Sequence, residues 1–165
     1  MTTTKFGALS SYQKGGVEII DDDARNYVFS NLFEVASKAA PYERIAIGKN
    51  FEYVIEVARA EGASPWFACA HDEFVLAMDG QIEVQLIKLA QPDLLVDPAA
   101  QGARKLGDRV PEGKRMGRIV LGRGHMALLP KGSAYRFRAE SQAAMVFQTL
   151  QGSVTIEKWA DICLS

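Results

Sequence analysis

The sequence predicts an all-β fold, a jelly-roll barrel of two sheets preceded by an N-terminal arm and one short helix. After residue 50 the apolar residues alternate with polar ones at period two, as in strands that bury one face. Short apolar runs then recur along the chain, separated by turns rich in glycine and proline. Many short strands with such turns are typical of sandwiches and barrels. We therefore assign residues 1–50 to an arm and helix that pack on the barrel, and residues 51–165 to the barrel itself.

The region before the barrel contains one helix signal. Residues 1–30 are weakly periodic and include an acidic run at 21–23, which is typical of an arm at the edge of a domain. Asn31 with Glu34 resembles a capping box, and Pro41 ends the helical pattern. The residues on one helical face are apolar: Leu32, Val35, Ala36 and Ala39.

The barrel strands follow from alternation and turns. Phe51, Tyr53, Ile55 and Val57 alternate with glutamates, which predicts a half-buried strand with the apolar residues inside. Runs at 74–78 and 82–86 flank Asp79-Gly80, a dipeptide that favours the positive-φ turn of a tight hairpin. Further strands are predicted at 119–121, 126–129, 135–137, 145–150 and 154–159.

Residues 90–116 break this pattern. The segment is rich in proline, glycine and basic residues, and we interpret it as a long loop inside the barrel. A solvated insertion and a partner-binding segment or lid both remain open.

Composition excludes several functions. The chain has 165 residues and a formal net charge of −1, so no broad positive field would attract nucleic acid or an anionic membrane. The sequence contains no apolar leader and no run long enough to span a bilayer. Cys69 and Cys163 lie far apart and form no CxxC pair, which favours free thiols in a reducing cytoplasm.

Two segments resemble the motifs of the cupins, which are small double-sheet barrels. The first cupin motif, G(x)5HxH(x)3,4E(x)6G, is matched at its end by Glu73 and Gly80. The second, G(x)5PxG(x)2H(x)3N, is matched by Gly124, Pro130, Gly132 and, at the histidine, Tyr135. The glycines and prolines of the turns are thus retained.

The metal ligands of these motifs are not retained. The two histidines of the first motif fall on Phe67 and Cys69, or on Trp66 and Ala68 with the longer spacing, and Tyr135 replaces the last histidine. Glu73 alone keeps a ligand position, whereas a mononuclear site needs about three or four converging ligands. We therefore expect no metal in this chain.

The remaining candidates for chemistry are Cys69, the two histidines and Trp66. A rearranged metal site from Cys69, His71, Glu73 and Tyr135 is conceivable, while His125 is expected to be a turn or surface residue. Trp66, together with Phe67, belongs either to the barrel core or to a flat wall against which an aromatic ligand stacks. No serine or cysteine triad and no phosphate loop is recognisable.

Longer segments resemble the small subunit of the two-component hydroquinone 1,2-dioxygenases. They are FEVASKAAPYERIAIGKNFEYVIEVARAEGASPWFACAHDEFVLAMDG, MGRIVLGRGHMALLPKGSAYRF and QGSVTIEKW. The resemblance implies an enzyme of two small and two large subunits, with Fe(II) in the large subunit. Its reaction would be the opening of hydroquinone with O2 to 4-hydroxymuconic semialdehyde, during the degradation of aromatic compounds. This chain would then contribute no catalytic residue and no cofactor, and Trp66 is the candidate for contact with substrate.

Two other functions compete with this one. A stand-alone, metal-free cupin could bind or isomerise a small metabolite as a homodimer, and a structural or regulatory binding domain would also fit the missing ligands.

Overall fold

The computed structural model of the chain describes residues 7–12, 21, 31–50 and 53–158. Its elements in chain order are α1 (Leu32–Lys38), β1 (Arg44–Asn50), β2 (Tyr53–Ala63), β3 (Trp66–Cys69), β4 (Glu73–Ala77), β5 (Gln81–Leu89), α2 (Pro92–Leu95), β6 (Ala103–Gly107), β7 (Gly113–Gly122), β8 (Met126–Leu129), β9 (Ser133–Leu150) and β10 (Thr155–Ile156). In this part of the chain no helix has the length and apolar character needed to cross a membrane.

The strands form a curled sheet with two halves that share β9, as in the predicted jelly roll. In sheet I, the order is β10-β1-β2-β9-β4-β8, and β9 contributes its second part, residues 143–150. In sheet II, the order is β6-β3-β9-β5-β7, and β9 contributes its first part, residues 133–138. The two sheets face each other because β9 bends from one into the other.

The space between the sheets is the main core. It is filled by large apolar side chains that the alternation of each strand directs inward: Val75, Ile82, Val84, Leu121, Leu129, Phe137, Met145 and Phe147. Burial of this kind is the dominant favourable contribution to folding.

The predicted helix is confirmed as α1. The side chain of Asn31 caps it by accepting hydrogen bonds from the backbone N–H groups of Phe33 and Glu34, at 3.0 and 3.3 Å. The helix buries Phe33, Val35 and Ala36 against the outer face of sheet I. Most of the predicted arm, including the acidic residues at 22 and 23, lies outside the described residues, as does Cys163.

The hairpin predicted around Asp79-Gly80 is wrong. Gly80 has the expected positive φ of 63°, but β4 pairs with β8 and β9 whereas β5 pairs with β7 and β9. The turn therefore carries the chain from sheet I to sheet II. The buried carboxylate of Asp79 supports this crossing by accepting hydrogen bonds from the N–H groups of Leu9 and Ala144, both at 2.5 Å.

The prediction of a long loop at 90–116 is also wrong, because the segment contains regular secondary structure. It contains α2, β6 and the start of β7. Both strands lie at edges of sheet II, and β7 is exposed at every position from 113 to 120. Strands exposed on both faces do not show the alternation by which strands are recognised. Residues 44–50, assigned to the arm and helix, likewise form β1 of sheet I.

The prediction for β2 placed Tyr53 and Ile55 inside the barrel, and this part of the prediction is wrong. Val54 and Glu56 are buried, whereas Tyr53 and Ile55 are 58% and 45% exposed. The strand therefore turns a glutamate into the barrel and two large apolar side chains towards solvent.

Candidate functional site: the barrel interior

The motif residues Glu73, Tyr135 and Phe67 come together inside the barrel, where they form a hydrogen bond and a ring stack in place of a metal centre. Glu73 opens β4 and is fully buried. The hydroxyl of Tyr135, on β9, donates a hydrogen bond to the Glu73 carboxylate. The Phe67 ring, which stands at a former histidine position, stacks on Tyr135 with a centroid distance of 6.1 Å and an angle of 22°.

A buried guanidinium occupies the centre of this group. Arg44, on β1, donates from Nη2 to Glu73 Oε1 at 2.8 Å and from Nε to Glu56 Oε2 at 2.5 Å. Its Nη1 lies 3.3 Å from the Tyr135 hydroxyl, and its Cζ lies 4.0 Å from the centroid of the Phe147 ring. Arg44 thus provides the positive charge that a metal ion would provide in a cupin.

Secondary hydrogen bonds satisfy the rest of the network. The hydroxyl of Thr155, on β10, donates to Glu56 Oε1 at 2.5 Å. Thr149 hydrogen-bonds Glu73 and so favours its charged form. Since both carboxylates are fully buried, each needs such partners to offset the cost of leaving water.

The pKa values follow from these contacts. Burial alone would raise the pKa of Glu73, but the charge and hydrogen bonds of Arg44 hold it below the ordinary value of 4.5. Burial alone would lower the pKa of Arg44, but the charge of Glu73 raises it well above its usual range. Burial, followed by the charge of Glu73, raises the pKa of the Tyr135 hydroxyl well above 10.0. At neutral pH the interior therefore holds an ion pair and a neutral phenol.

These residues do not fit a metal. The two oxygens of Glu73 are engaged by Arg44 and Tyr135, and a second cation beside the guanidinium would be repelled. Burial, and then the charge of Glu73, raises the pKa of Cys69 to about 12, so its thiolate is scarce near neutral pH. Among the described residues no group of His, Cys, Asp and Glu has the arrangement of a metal site.

The two histidines have structural roles. His71 Nε2 accepts from the N–H of Gly102 at 3.0 Å, and its Nδ1 lies 2.9 Å from the carbonyl oxygen of Asp72. His71 therefore fastens the loop after β3. Its Nε2 also lies 3.1 Å from Cys69 Sγ, but the two belong to no group of three possible metal ligands among the described residues. His125 is exposed and accepts from the N–H of Gly122 at 3.1 Å, which confirms it as a turn residue.

Trp66 lies outside the barrel core, on the outer face of sheet II. It is 2% exposed and packs with Ile87 and Leu89. The guanidinium of Arg136 lies 5.0 Å from its ring centroid, and its buried indole N–H has no acceptor among the described residues. A cavity of about 250 Å³ adjoins the ring and is also lined by Gln85, Pro111, Arg115 and Arg136.

Sequence reasoning missed Arg44 and Glu56. Glu56 lies between Ile55 and Val57, and Arg44 begins its strand directly after Glu43. Charged residues at such positions are ordinarily assigned to the solvent side. The sequence contained one signal for a buried cation. Glu73 keeps a metal-ligand position although the motif histidines are missing. A buried carboxylate without a metal needs a cation from elsewhere in the chain.

Comparison with solved structures first shows the fold class of the chain. A cupin-2 domain protein from Shewanella frigidimarina NCIMB 400 matches with a TM-score of 0.50 and 17% identity, over 72% of this chain and 89% of that chain. The chain therefore has the cupin fold. No protein-family model and no curated protein matches it.

Two other structures are much more similar. Hydroquinone 1,2-dioxygenase from Sphingomonas sp. TTNP3, with 4-hydroxybenzoate bound, is 69% identical with a TM-score of 0.95, covering 99% of this chain and 98% of that chain. Hydroquinone 1,2-dioxygenase PnpCD, in complex with Cd²⁺ and 4-hydroxybenzonitrile, is 47% identical with a TM-score of 0.91, covering 100% and 98%. The chain belongs to the hydroquinone 1,2-dioxygenase family.

A second, longer chain in a structure of the same Sphingomonas enzyme has the same fold. It is 13% identical with a TM-score of 0.62, over 87% of this chain but only 38% of that chain. Structures of this dioxygenase therefore contain both a chain like the present one and a longer chain that includes a domain of the same fold.

Proposed function

We propose that this chain is the small, metal-free subunit of a cytoplasmic hydroquinone 1,2-dioxygenase, which cleaves the ring of hydroquinone with O2 to 4-hydroxymuconic semialdehyde. The observation that carries the metal-free assignment is the ion pair between Arg44 and Glu73, at 2.8 Å inside the barrel. A permanent guanidinium charge at this place neutralises the buried Glu73 carboxylate without a metal and repels a metal cation.

The ring-cleaving chemistry then belongs to a larger cupin-containing subunit, which holds the Fe(II), in an assembly of two small and two large subunits. The longer chain in the structure of the Sphingomonas enzyme supports such a partner, because it shares the fold and has room for further domains. The present chain contributes interface area and shape, and its role is to support the active enzyme in the degradation of aromatic compounds.

Trp66 is the residue that we assign to the wall of the substrate pocket. Its buried indole N–H has no acceptor among the described residues, and the adjoining cavity is also lined by Arg115 and Arg136. A flat indole with a free donor suits an aromatic ring that carries hydroxyl groups. No other residue of this chain is assigned to substrate.

The proposal is tested by expressing the chain alone, the longer chain of the Sphingomonas enzyme alone, and both together. We expect hydroquinone-dependent O2 uptake with Fe(II) only from the pair, and far less than one iron per chain in the isolated small subunit after desalting. Near-stoichiometric iron in this chain, or ring cleavage by it alone, would contradict the proposal. A fully active longer chain that never co-elutes with it would favour a stand-alone cupin instead.

A further inference from the structure

The outer face of sheet II contains a cavity that is bordered by two arginines. It has a volume of about 250 Å³ and lies beside Trp66, with Gln85, Arg115 and Arg136 also in its wall. Sites for drug-sized ligands usually measure about 300–1,000 Å³. The cavity therefore suits a smaller compound, with the size of one aromatic ring.

The strand register brings the polar residues of this wall together. Gln85 of β5 is paired with Arg136 of β9, and Ile87, two residues further along β5, is paired with Arg115 of β7. Residues two apart in a strand share a face, as do residues directly opposite each other. All four side chains therefore lie on the outer face, where Ile87 packs with Trp66.

A β-bulge in β7 places Arg115 at this cavity. Leu86 of β5 is paired with Gly117, but the next residue, Ile87, is paired with Arg115, so Met116 is the extra residue. In a regular strand pair Met116 would stand opposite Ile87, and Arg115 would point to the other face of the sheet. Bulges occur often next to functional sites, where they re-aim a side chain. This bulge gives the outer face a second arginine.

The donors of the wall are open to a ligand. Arg136 donates from Nε to Gln85 Oε1 at 2.8 Å, which holds its guanidinium 5.0 Å from the Trp66 ring centroid. Among the described residues, Nη1 and Nη2 of Arg136 form no hydrogen bond and Arg115 forms no ion pair. The indole N–H of Trp66 is buried and also lacks an acceptor there. A buried donor without an acceptor is rare in folded proteins.

The positive charge of the wall is not balanced by the chain itself. No aspartate or glutamate is among the described residues that line the cavity. Glu83, on the same face of β5, is already engaged by Gln85 and Arg118. Guanidinium groups bind carboxylates through charge-assisted hydrogen bonds, and a flat indole packs well against a conjugated carbon chain. The cavity therefore fits a small, planar carboxylate.

The reaction of the proposed function generates an anion of this kind. When O2 opens the ring of hydroquinone, the C1–C2 bond and the O–O bond break, and each of the two carbons receives one oxygen atom. C1, which already carries a hydroxyl group, becomes a carboxyl group, and C2 becomes an aldehyde. The carboxyl group loses its proton at neutral pH. A neutral substrate is thus converted into an anionic six-carbon diene.

We propose that the cavity beside Trp66 is a subsite for the carboxylate of the ring-opened product, which Arg115 and Arg136 bind. The inference rests on the proposed function, since that function supplies the product. Neutral hydroquinone gains little from two guanidinium groups, whereas the product gains charge-assisted hydrogen bonds. The site therefore distinguishes product from substrate by charge.

The test begins with the full chain alone and uses sorbate, a six-carbon dienoate with the carbon skeleton and the carboxylate of the product. Sorbamide, its neutral amide, is the control ligand. Calorimetric titration and the indole N–H signal of Trp66 in the ¹⁵N-labelled chain report binding, and Trp66→Phe identifies the signal. We expect sorbate to bind at least about tenfold more tightly than sorbamide, because hydrogen bonds to a charged group are stronger.

Two variants test the arginines separately. Arg115→Gln and Arg136→Gln should each weaken sorbate binding at least about tenfold, the loss expected for one hydrogen bond between charged groups. Binding of sorbamide should hardly change. Arg118→Gln is the matched control, because Arg118 lies on the same sheet, pairs with Glu83 and does not line the cavity. Thermal unfolding controls for folding, and the exposed position of Arg115 keeps the test valid where Arg136→Gln does not fold.

The complex with the longer chain of the Sphingomonas enzyme gives a second readout. Sorbate should inhibit hydroquinone-dependent O2 uptake by this complex. Arg136→Gln should raise the inhibition constant of sorbate at least about tenfold, while Arg118→Gln should leave it unchanged.

The outcomes separate the subsite from the proposed function. Equal binding of sorbate and sorbamide, no binding of sorbate by the chain, or binding that both arginine variants retain overturns the subsite and leaves the subunit function standing. Binding by the lone chain that disappears in the complex assigns the arginines to an acidic side chain of the partner, and also overturns the subsite. Arginine-dependent binding without O2 uptake by the pair retains the carboxylate site, but overturns the proposed function and the assignment to its product.

Discussion

Replacement of Arg44 by leucine removes the cation that faces two buried carboxylates. Glu56 and Glu73 are each 0% exposed and both contact the guanidinium. Removing one partner of a buried ion pair costs about 3–5 kcal/mol, which is a large part of the usual stability of about 5–15 kcal/mol. We expect the melting temperature to fall by about 6–20 °C at pH 7.5, from about 2–4 °C per kcal/mol for a chain of this size.

The loss should depend on pH with a defined sign. In the unmodified chain the folded pKa of Glu73 lies below 4.5, so its contribution to stability is present above that pH and is lost as the pH falls through the folded pKa. Without Arg44 the buried carboxylate of Glu73 lacks its cation, its folded pKa rises, and its protonation relieves part of the defect as the pH falls. The stability curves of the two proteins should therefore converge towards pH 4.5.

The assay is urea unfolding followed by circular dichroism between pH 4.5 and 8. Arg118→Leu is the matched control, because Arg118 pairs with Glu83 at 2.9 Å on the surface and is 71% exposed. That variant should lose at most about 1 kcal/mol. If Arg44→Leu is no less stable than Arg118→Leu at pH 7.5, or if its deficit does not change with pH, the assignment of Arg44 as the interior cation is refuted.

Three further predictions concern single residues. Gly80→Ala should cost about 2–4 kcal/mol, against about 1 kcal/mol for Gly124→Ala. Both glycines have positive φ, but an added Cβ would lie 2.7 Å from the Ala143 Cβ at Gly80 and meets nothing within 4 Å at Gly124; equal losses in urea unfolding would contradict this. Cys69 should react very slowly with a disulfide reagent at pH 8, since a pKa of about 12 leaves a thiolate fraction on the order of 10⁻⁴, and the Cys69→Ser variant identifies its signal. In the assembled enzyme Trp66→Ala should weaken substrate binding or turnover about tenfold without changing the iron content, and unchanged kinetics would remove Trp66 from the substrate wall.

The sequence predicted those parts of the fold that depend on local chemistry. The cap of α1 at Asn31 and the positive φ of Gly80 follow from interactions within a few residues, and both are confirmed. The pairing of strands depends on distant parts of the chain. A local turn signal at Asp79-Gly80 cannot show that β4 and β5 enter different sheets, and the predicted hairpin is therefore wrong.

The candidate site was predicted only in part for a related reason. The loss of the histidine ligands is visible in the spacing around Glu73, but the replacement cation comes from β1, 29 residues earlier in the chain. No motif connects Arg44 with Glu73. The inward direction of Glu56 was missed because an exposed apolar face, such as that of Tyr53 and Ile55, reverses the usual rule for placing a strand.

The position of β9 has a consequence for biosynthesis. Because this one strand pairs with β2, β3, β4 and β5, neither sheet can be completed until residues 133–150 have left the ribosome. The ribosome adds about 5–20 residues per second, so β2, which pairs with β1 on one side, waits several seconds for its other neighbour in β9. During that interval the apolar side of β2 is available to chaperones and to other nascent chains.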